Sequence, residues 1–479
     1  MTVPESLRQP VTTTNVISTA SPTKVHQFVR QNPVTSASFQ ATQEENGRGD
    51  HNGRVSIQPT GFEGGLLVGL YDPHLGPQCA EYLQQHLVPI LDESLSTQLD
   101  HSDDDHSQNS NPNSHKIDPT QVIDTLKSTF RELDELLLAT AITVALAQPD
   151  STEFSSADEI KKTQELIAQV VTGSTALVGF LAPHRATTPV SGDDSAVQKH
   201  DFYLAQLGDS VAILAGYDEQ GQWTVTRLNP PETYEHSVRY LGSEEYRKVV
   251  SEANQRALTA EQFLTQHSGA PQDDKNETVP TSECFLTKHG KFLGLPVTRA
   301  FGDLDWKMEK DARSSVATWV EKSLRAKIDQ ILGGGSHEGG EINGNDHHAN
   351  TGVDNLSDPP YVTADPKIFR FILETRKSPS GTYTGTGASD QMLILLNHGL
   401  LYTARTSANS VEAREGNPYE QPLISDFELS RLVANTLEKG EENCALAVAK
   451  ALDQTRKDLG ILDREGEEGR EGSVVVVVL

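Results

Sequence analysis

Apolar positions along this chain recur in two periods, and the switch between them sets out the elements. "GGLLVGLYD" (64–72) is a short apolar run opened by glycines, the pattern of a buried strand. After it, Pro77 suits a first helical position, and Cys79, Ala80, Leu83, Leu87 and Val88 keep one helical face apolar. The stretch 118–148 predicts a long helix, with Asp118 as N-cap, Pro119 at the first position and Leu126, Phe130, Leu133 and Leu137 on one face. "GSTALVGFLAP" (173–183) returns to strand character. Residues 201–228 read as strand, turn, strand, turn, strand, with Gly208-Asp209 and Glu219-Gln220-Gly221 as the turns. "DQMLILLNHGLL" (390–401) is a further buried strand ending in polar residues. Two helices are expected at 423–437 and 442–458, and the β-branched run "SVVVVVL" (473–479) closes the chain as a strand. Strands and long helices in an irregular order predict an α+β fold, with helices flanking a sheet sandwich.

Polar, low-complexity stretches interrupt this pattern at 98–116, 266–283 and 333–357, which read as exposed insertions, and residues 1–30 read as disordered. The histidines of the third insertion are read as part of a flexible loop rather than a metal site.

Composition narrows the function. With 40 Lys+Arg against 68 Asp+Glu the formal charge is −28, which disfavours nucleic acid and anionic membrane surfaces as partners. No apolar stretch is long enough to span a bilayer. The three cysteines, Cys79, Cys284 and Cys444, are far apart and fit neither a disulfide framework nor a zinc site, so the setting is read as intracellular and reducing. The first 43 residues hold one acidic residue, Glu5, beside Arg8, Lys24, Arg30 and many hydroxyl side chains. That composition is compatible with a mitochondrial presequence leading to the matrix, and equally with a polar terminus on a cytoplasmic protein.

Six short motifs then stand in order: "LVGLYDPHLGPQCAEYL", "GSTALVGFL", "LGDSVAIL", "LPVTRAFGDLDWK" (295–307), "DQMLILLNHGLL" and "EGSVVVVVL". Together, over roughly residues 35–479, they resemble the metal-dependent PPM family of protein phosphatases, the protein phosphatase 2C type. "PPYVTADP" (359–366) and the "VTRAFGDLDWK" wording are similar to the pyruvate dehydrogenase phosphatase branch. The resemblance implies one domain over 35–479 with two antiparallel sheets packed as a sandwich and helices on both sides. It also implies hydrolysis of phosphoserine and phosphothreonine at a centre of two Mg²⁺ or Mn²⁺ ions, held by oxygen ligands at strand ends, with a phosphoprotein as substrate or partner.

Carried over position by position, Asp72 matches the aspartate that bridges both metals and Pro73 replaces the glycine whose backbone carbonyl is a ligand. His74 matches the general acid. Asp209 matches the Gly-Asp-Ser aspartate, and is also an ordinary turn residue. Asp303 matches the aspartate after Ala-Phe-Gly, and Arg299 reads as an ion-pair partner. His398 stands where a metal-binding aspartate is expected, and can equally be a hydrogen-bonding histidine. Glu471 replaces the last metal-binding aspartate. The family's N-terminal acidic pair corresponds to Glu44 and Glu45 or to Asp50, with Arg48 or Arg54 as phosphate binder. Proline fixes φ and lacks an N–H, so distortion is expected at a turn built for glycine. Imidazole suits Zn²⁺ or Fe²⁺ better than Mg²⁺, so a different metal or fewer ions is expected. Two readings follow: a divergent phosphatase, or a pseudophosphatase that keeps the fold as a binding or regulatory module.

Overall fold

The computed structural model describes residues 34–39, 53–60, 65–100, 118–147, 157–183, 197–218, 222–230, 297–309, 311–318, 320, 362–376, 391–403, 421–439, 444–458 and 472–478. The described residues begin with three strands, β1 (Val34–Phe39), β2 (Arg54–Pro59) and β3 (Leu66–His74). Three helices follow, α1 (Gln78–Asp100), α2 (Pro119–Ala147) and α3 (Ala157–Val171). Next come β4 (Gly173–Pro183), β5 (Val197–Leu207), β6 (Val211–Tyr217), β7 (Trp223–Arg227), β8 (Phe301–Gly302) and the one-turn α4 (Leu304–Lys307). After β9 (Lys367–Arg376) and β10 (Met392–Leu396) come the helical turn α5 (His398–Leu401) and the short β11 (Tyr402–Thr403) and β12 (Gln421–Pro422). The helices α6 (Asp426–Glu438) and α7 (Cys444–Asp458) precede the last strand, β13 (Gly472–Val478).

Among the described residues, two large antiparallel sheets and the small β11–β12 pair result. One runs β1-β13-β10-β6-β7; the other runs β2-β3-β4-β5-β9, with β8 joined to β4. Period-two alternation explains why both faces of each sheet are apolar. On β13, Val475 and Val477 point between the sheets, where they meet Leu393 and Leu395 of β10 and Val68, Leu70, Leu177 and Leu204 of the opposite sheet. Val474 and Val476 point outward with Ile394 and Leu396, under Leu429 and Val433 of α6 and Val448 and Leu452 of α7. The other sheet turns Leu67, Tyr71, Val178, Phe180 and Tyr203 outward against Leu83, Leu87, Leu126 and Phe130 of α1 and α2. The α+β sandwich with helices on both sides is therefore the observed architecture.

The caps follow local chemistry. Thr120 N donates to Asp118 Oδ1 at 2.9 Å at the start of α2. Ser425 and Glu428 form a capping box at the start of α6. The expected loop at 98–116 is corrected at its beginning, because α1 continues through Asp100. The rest of that stretch and the insertions at 266–283 and 333–357 lie outside the described residues, as do residues 1–30 and the 219–221 turn. No described helix is long and apolar enough to cross a membrane.

Candidate functional site

Antiparallel pairing brings strand ends from both sheets to one edge of the sandwich. β3 ends beside the start of β4, with Asp72 opposite Thr175 and His74 opposite Gly173. β10 ends where β6 and β13 begin, with Leu396 opposite both Val211 and Val474. Asp72, Asp209 and Asn397 therefore meet although they are far apart in sequence. Asp209 follows Gly208, whose φ of +100° makes the turn between β5 and β6; a Cβ there would lie 2.4 Å from Thr175 Cγ2.

Pro73 does not distort a turn. It stays in the ladder opposite Ser174, beyond the last β2 pair at Arg54 and Tyr71, so the strand tolerates it as it would at an edge. The turn comes later, at Leu75 (φ 62°) and Gly76 (φ 136°).

Three pairs fill the site. Asn397 Nδ2 donates to Asp72 Oδ1 at 3.0 Å, while Asn397 Oδ1 accepts from Ser473 N at 2.9 Å. This amide joins the two sheets and is fully buried. His398 Nδ1 lies 3.5 Å from Asp209 Oδ2, both residues being buried. His74 Nε2 meets the Asp303 carboxylate at 2.8 and 2.9 Å, with the Asp303 side chain completely buried. Burial pushes the Asp72 carboxyl up to about 6; the Asp209 charge adds to this, and the Asn397 amide and the imidazoles of His398 and His74 oppose it. Burial alone would lower the His74 value, but the charge and hydrogen bond of Asp303, then the charges of Asp72 and Asp209, raise it overall. Asp303 thus favours the protonated form of His74, against the effect of burial.

Asp303 adopts a left-handed conformation (φ 54°, ψ 48°), rare for a residue with a Cβ and a mark of local constraint. Its neighbour Gly302 has φ 70°, and a Cβ there would lie 2.2 Å from the Thr172 carbonyl oxygen. Gly302→Ala is expected to cost at least ~2 kcal/mol, since the αL penalty adds to a clash with backbone that cannot swing away. Urea unfolding would measure it.

Of the other expected site residues, Arg54 pairs with Glu81 of α1 at 2.8 Å, and Arg299 Nη1 lies 3.8 Å from Asp365 Oδ2 as a structural ion pair. Glu44, Glu45, Arg48, Asp50 and Glu471 lie outside the described residues. Sequence reasoning missed Asn397. The signal was an amide at the position where the family motif has a threonine, directly before the unexpected His398.

A Mg²⁺ or Mn²⁺ cage needs several carboxylate oxygens turned toward one point. Here one Asp72 oxygen already accepts from an amide, Asp209 faces an imidazole, and His398 offers nitrogen. Among the described residues, no group of three or more His, Cys, Asp or Glu is placed to hold a metal ion. The described residues therefore do not fit a two-ion Mg²⁺ or Mn²⁺ centre.

The chain is similar to a yeast protein and to several solved structures. The mitochondrial pyruvate dehydrogenase (acetyl-transferring) phosphatase 1 of Saccharomyces cerevisiae is 24% identical over 270 residues, covering 54% of this chain and 36% of the yeast protein. The chain thus spans about a third of that relative's length. A serine-threonine phosphatase 2C from Toxoplasma gondii aligns over 93% of this chain and 99% of its own, at 10% identity and a TM-score of 0.42. A Caenorhabditis elegans sex-determining protein aligns over 93% of this chain and 64% of its own, at 13% identity and a TM-score of 0.38. No family model matches the chain. The yeast match, with the six ordered motifs, supports placing the chain among PPM-type phosphatases.

Proposed function

We propose that this chain is a pseudophosphatase of the PPM type, a binding or regulatory module for a protein partner rather than a hydrolase. One observation carries the reading: at the expected metal position Asp72 accepts a hydrogen bond from the Asn397 amide, and an imidazole, His398, stands 3.5 Å from Asp209 where the family has a carboxylate. Hydrolysis in the family depends on two hard cations that such carboxylates must be free to take. The second reading is a divergent Ser/Thr phosphatase with altered metal preference, favoured by the His74–Asp303 pair, which preserves a proton donor for a leaving serine or threonine oxygen.

Calorimetric titration of the full chain separates the two. No saturable Mg²⁺ or Mn²⁺ binding is the expected result. Binding of two Mn²⁺ ions that Asp72→Ala abolishes would reverse the order of the readings. The N-terminal composition and the mitochondrial name of the yeast relative favour the mitochondrial matrix as compartment, with the cytoplasm as alternative; imaging a C-terminal fluorescent fusion tests it.

A further inference from the structure

Helix α2 reaches the His74–Asp303 pair through a buried ion pair outside the cluster of Asp72, Asp209 and His398. Asp134 lies on the face of α2 that covers the sheet, one turn beyond Phe130. Phe130 packs its ring against Phe301 at a centroid separation of 5.3 Å. Asp134 Oδ1 accepts from Gly302 N at 2.9 Å, and its Oδ2 accepts from Lys307 Nζ at 2.7 Å. Lys307 Nζ also donates to the Ala300 carbonyl at 2.6 Å. The Asp134 and Lys307 side chains are only 6% and 4% exposed. This one carboxylate thus holds both ends of the segment 302–307, and Asp303 lies between its two attachments.

Gly302 takes its positive φ freely, but Asp303 carries a Cβ and holds its left-handed conformation where surrounding contacts fix it. Asp303 N donates to Thr172 O at 3.2 Å and Asp303 O accepts from Trp306 N at 2.9 Å. These bonds orient the Asp303 backbone but leave the Gly302 N–H to Asp134. A buried N–H with no acceptor is costly. The amide of Asp134→Asn offers one acceptor where two donors stand, and the Lys307 ammonium is the stronger claimant, so the Gly302 N–H would face an NH2 group and its peptide would turn. Rotation of that peptide changes where the Asp303 carboxylate points.

We infer that Asp134, with Lys307, is a positioning residue that fixes the left-handed Gly302–Asp303 turn and thereby holds the Asp303 carboxylate on His74. The inference applies to either reading of the site, because it concerns where the His74 imidazole is held and not what it acts on.

The test is the rate at which diethyl pyrocarbonate modifies His74 in the full-length chain, mapped by peptide mass spectrometry. The reagent needs an accessible ring nitrogen, and Nε2 of His74 is covered by Asp303. His86 on α1 is half-buried, packs its ring against Tyr82 and takes no part in the hydrogen bonds of Asp134, Asp303 and Lys307 given above, and it serves as internal standard. Asp303→Gly, which removes the side chain and suits the left-handed conformation, sets the rate of a released His74. In Asp134→Asn the His74 rate is expected to rise about tenfold, toward that of Asp303→Gly, as loss of a charge-assisted hydrogen bond would give, with His86 unchanged. An unchanged His74 rate in folded Asp134→Asn overturns the proposal, and so does a parallel rise at both histidines, which would signal general loosening. If Asp134→Asn is insoluble, the double variant Asp134→Leu/Lys307→Met, which removes both charges, is read the same way. Failure of both variants to fold would make the pair a strut of the fold alone and would also overturn the proposal.

Discussion

Lys307→Met is expected to destabilise the fold by about 3–5 kcal/mol at neutral pH, the cost of leaving a buried charge without its partner. Asp134 is the charge left behind. Burial already raises its carboxyl above the ordinary range, and the charge and hydrogen bond of Lys307 are the first influences opposing that rise. Without them the folded-state value climbs further above the unfolded one. The folded chain then holds a proton that the unfolded chain releases, so the variant's stability is retained below the unfolded value and lost as pH rises through the raised one. Urea unfolding near pH 5 should accordingly show a smaller loss than near pH 7.5, relative to the natural chain at each pH. The double variant Asp134→Leu/Lys307→Met should recover much of the loss, since apolar replacement of a whole buried pair is often close to neutral. A single variant that loses less than about 1 kcal/mol would mean that the pair is solvated in solution.

Restoring the family's residues at the cluster should produce the second large effect, a gain of metal response. In Pro73→Gly/Asn397→Thr/His398→Asp/Glu471→Asp the amide that occupies Asp72 Oδ1 is gone, and a carboxylate replaces the imidazole facing Asp209. Unbalanced carboxylates repel one another, so without metal this variant should melt below the natural chain. Mn²⁺ should raise its melting temperature, because an ion that binds only the folded state stabilises it by mass action. Hydrolysis of an aryl phosphate with Mn²⁺ should exceed that of the natural chain by at least about tenfold, equivalent to about 1.4 kcal/mol of transition-state stabilisation. A folded variant with neither response would place the loss of function beyond these four positions.

The strands and long helices were legible because their apolar periods are clean. The run at 473–479 is apolar on successive residues because both faces of β13 are covered, and residues 118–148 carry both a cap and a stripe. The helix α3 and the strands β1, β2 and β9 were not anticipated. β9 alternates aromatic and aliphatic residues with Arg370 and Glu374, a half-exposed edge pattern that was readable, whereas β1 is mostly small and hydroxylic and takes its form from pairing with β13. At the site, aspartates and histidines were legible at strand ends through motif order. Their pairing was not, because it depends on register: Asn397 reaches Asp72 only because β10 and β3 end at the same edge. Asp134 was invisible for the same reason, being one polar position on an amphipathic helix until the fold sets Gly302 and Lys307 against it.

The most direct measurement is phosphate release from a phosphoserine peptide and a phosphothreonine peptide by the full chain, with Mg²⁺, Mn²⁺, Fe²⁺ and Zn²⁺ supplied in turn. A cluster in which the Asn397 amide donates to Asp72 and the His398 imidazole stands beside Asp209 predicts no release above the protein-free control with any of the four, from protein whose cooperative melt shows it to be folded. Release with any one of them that disappears in Asp72→Ala would contradict the pseudophosphatase reading and establish a divergent phosphatase.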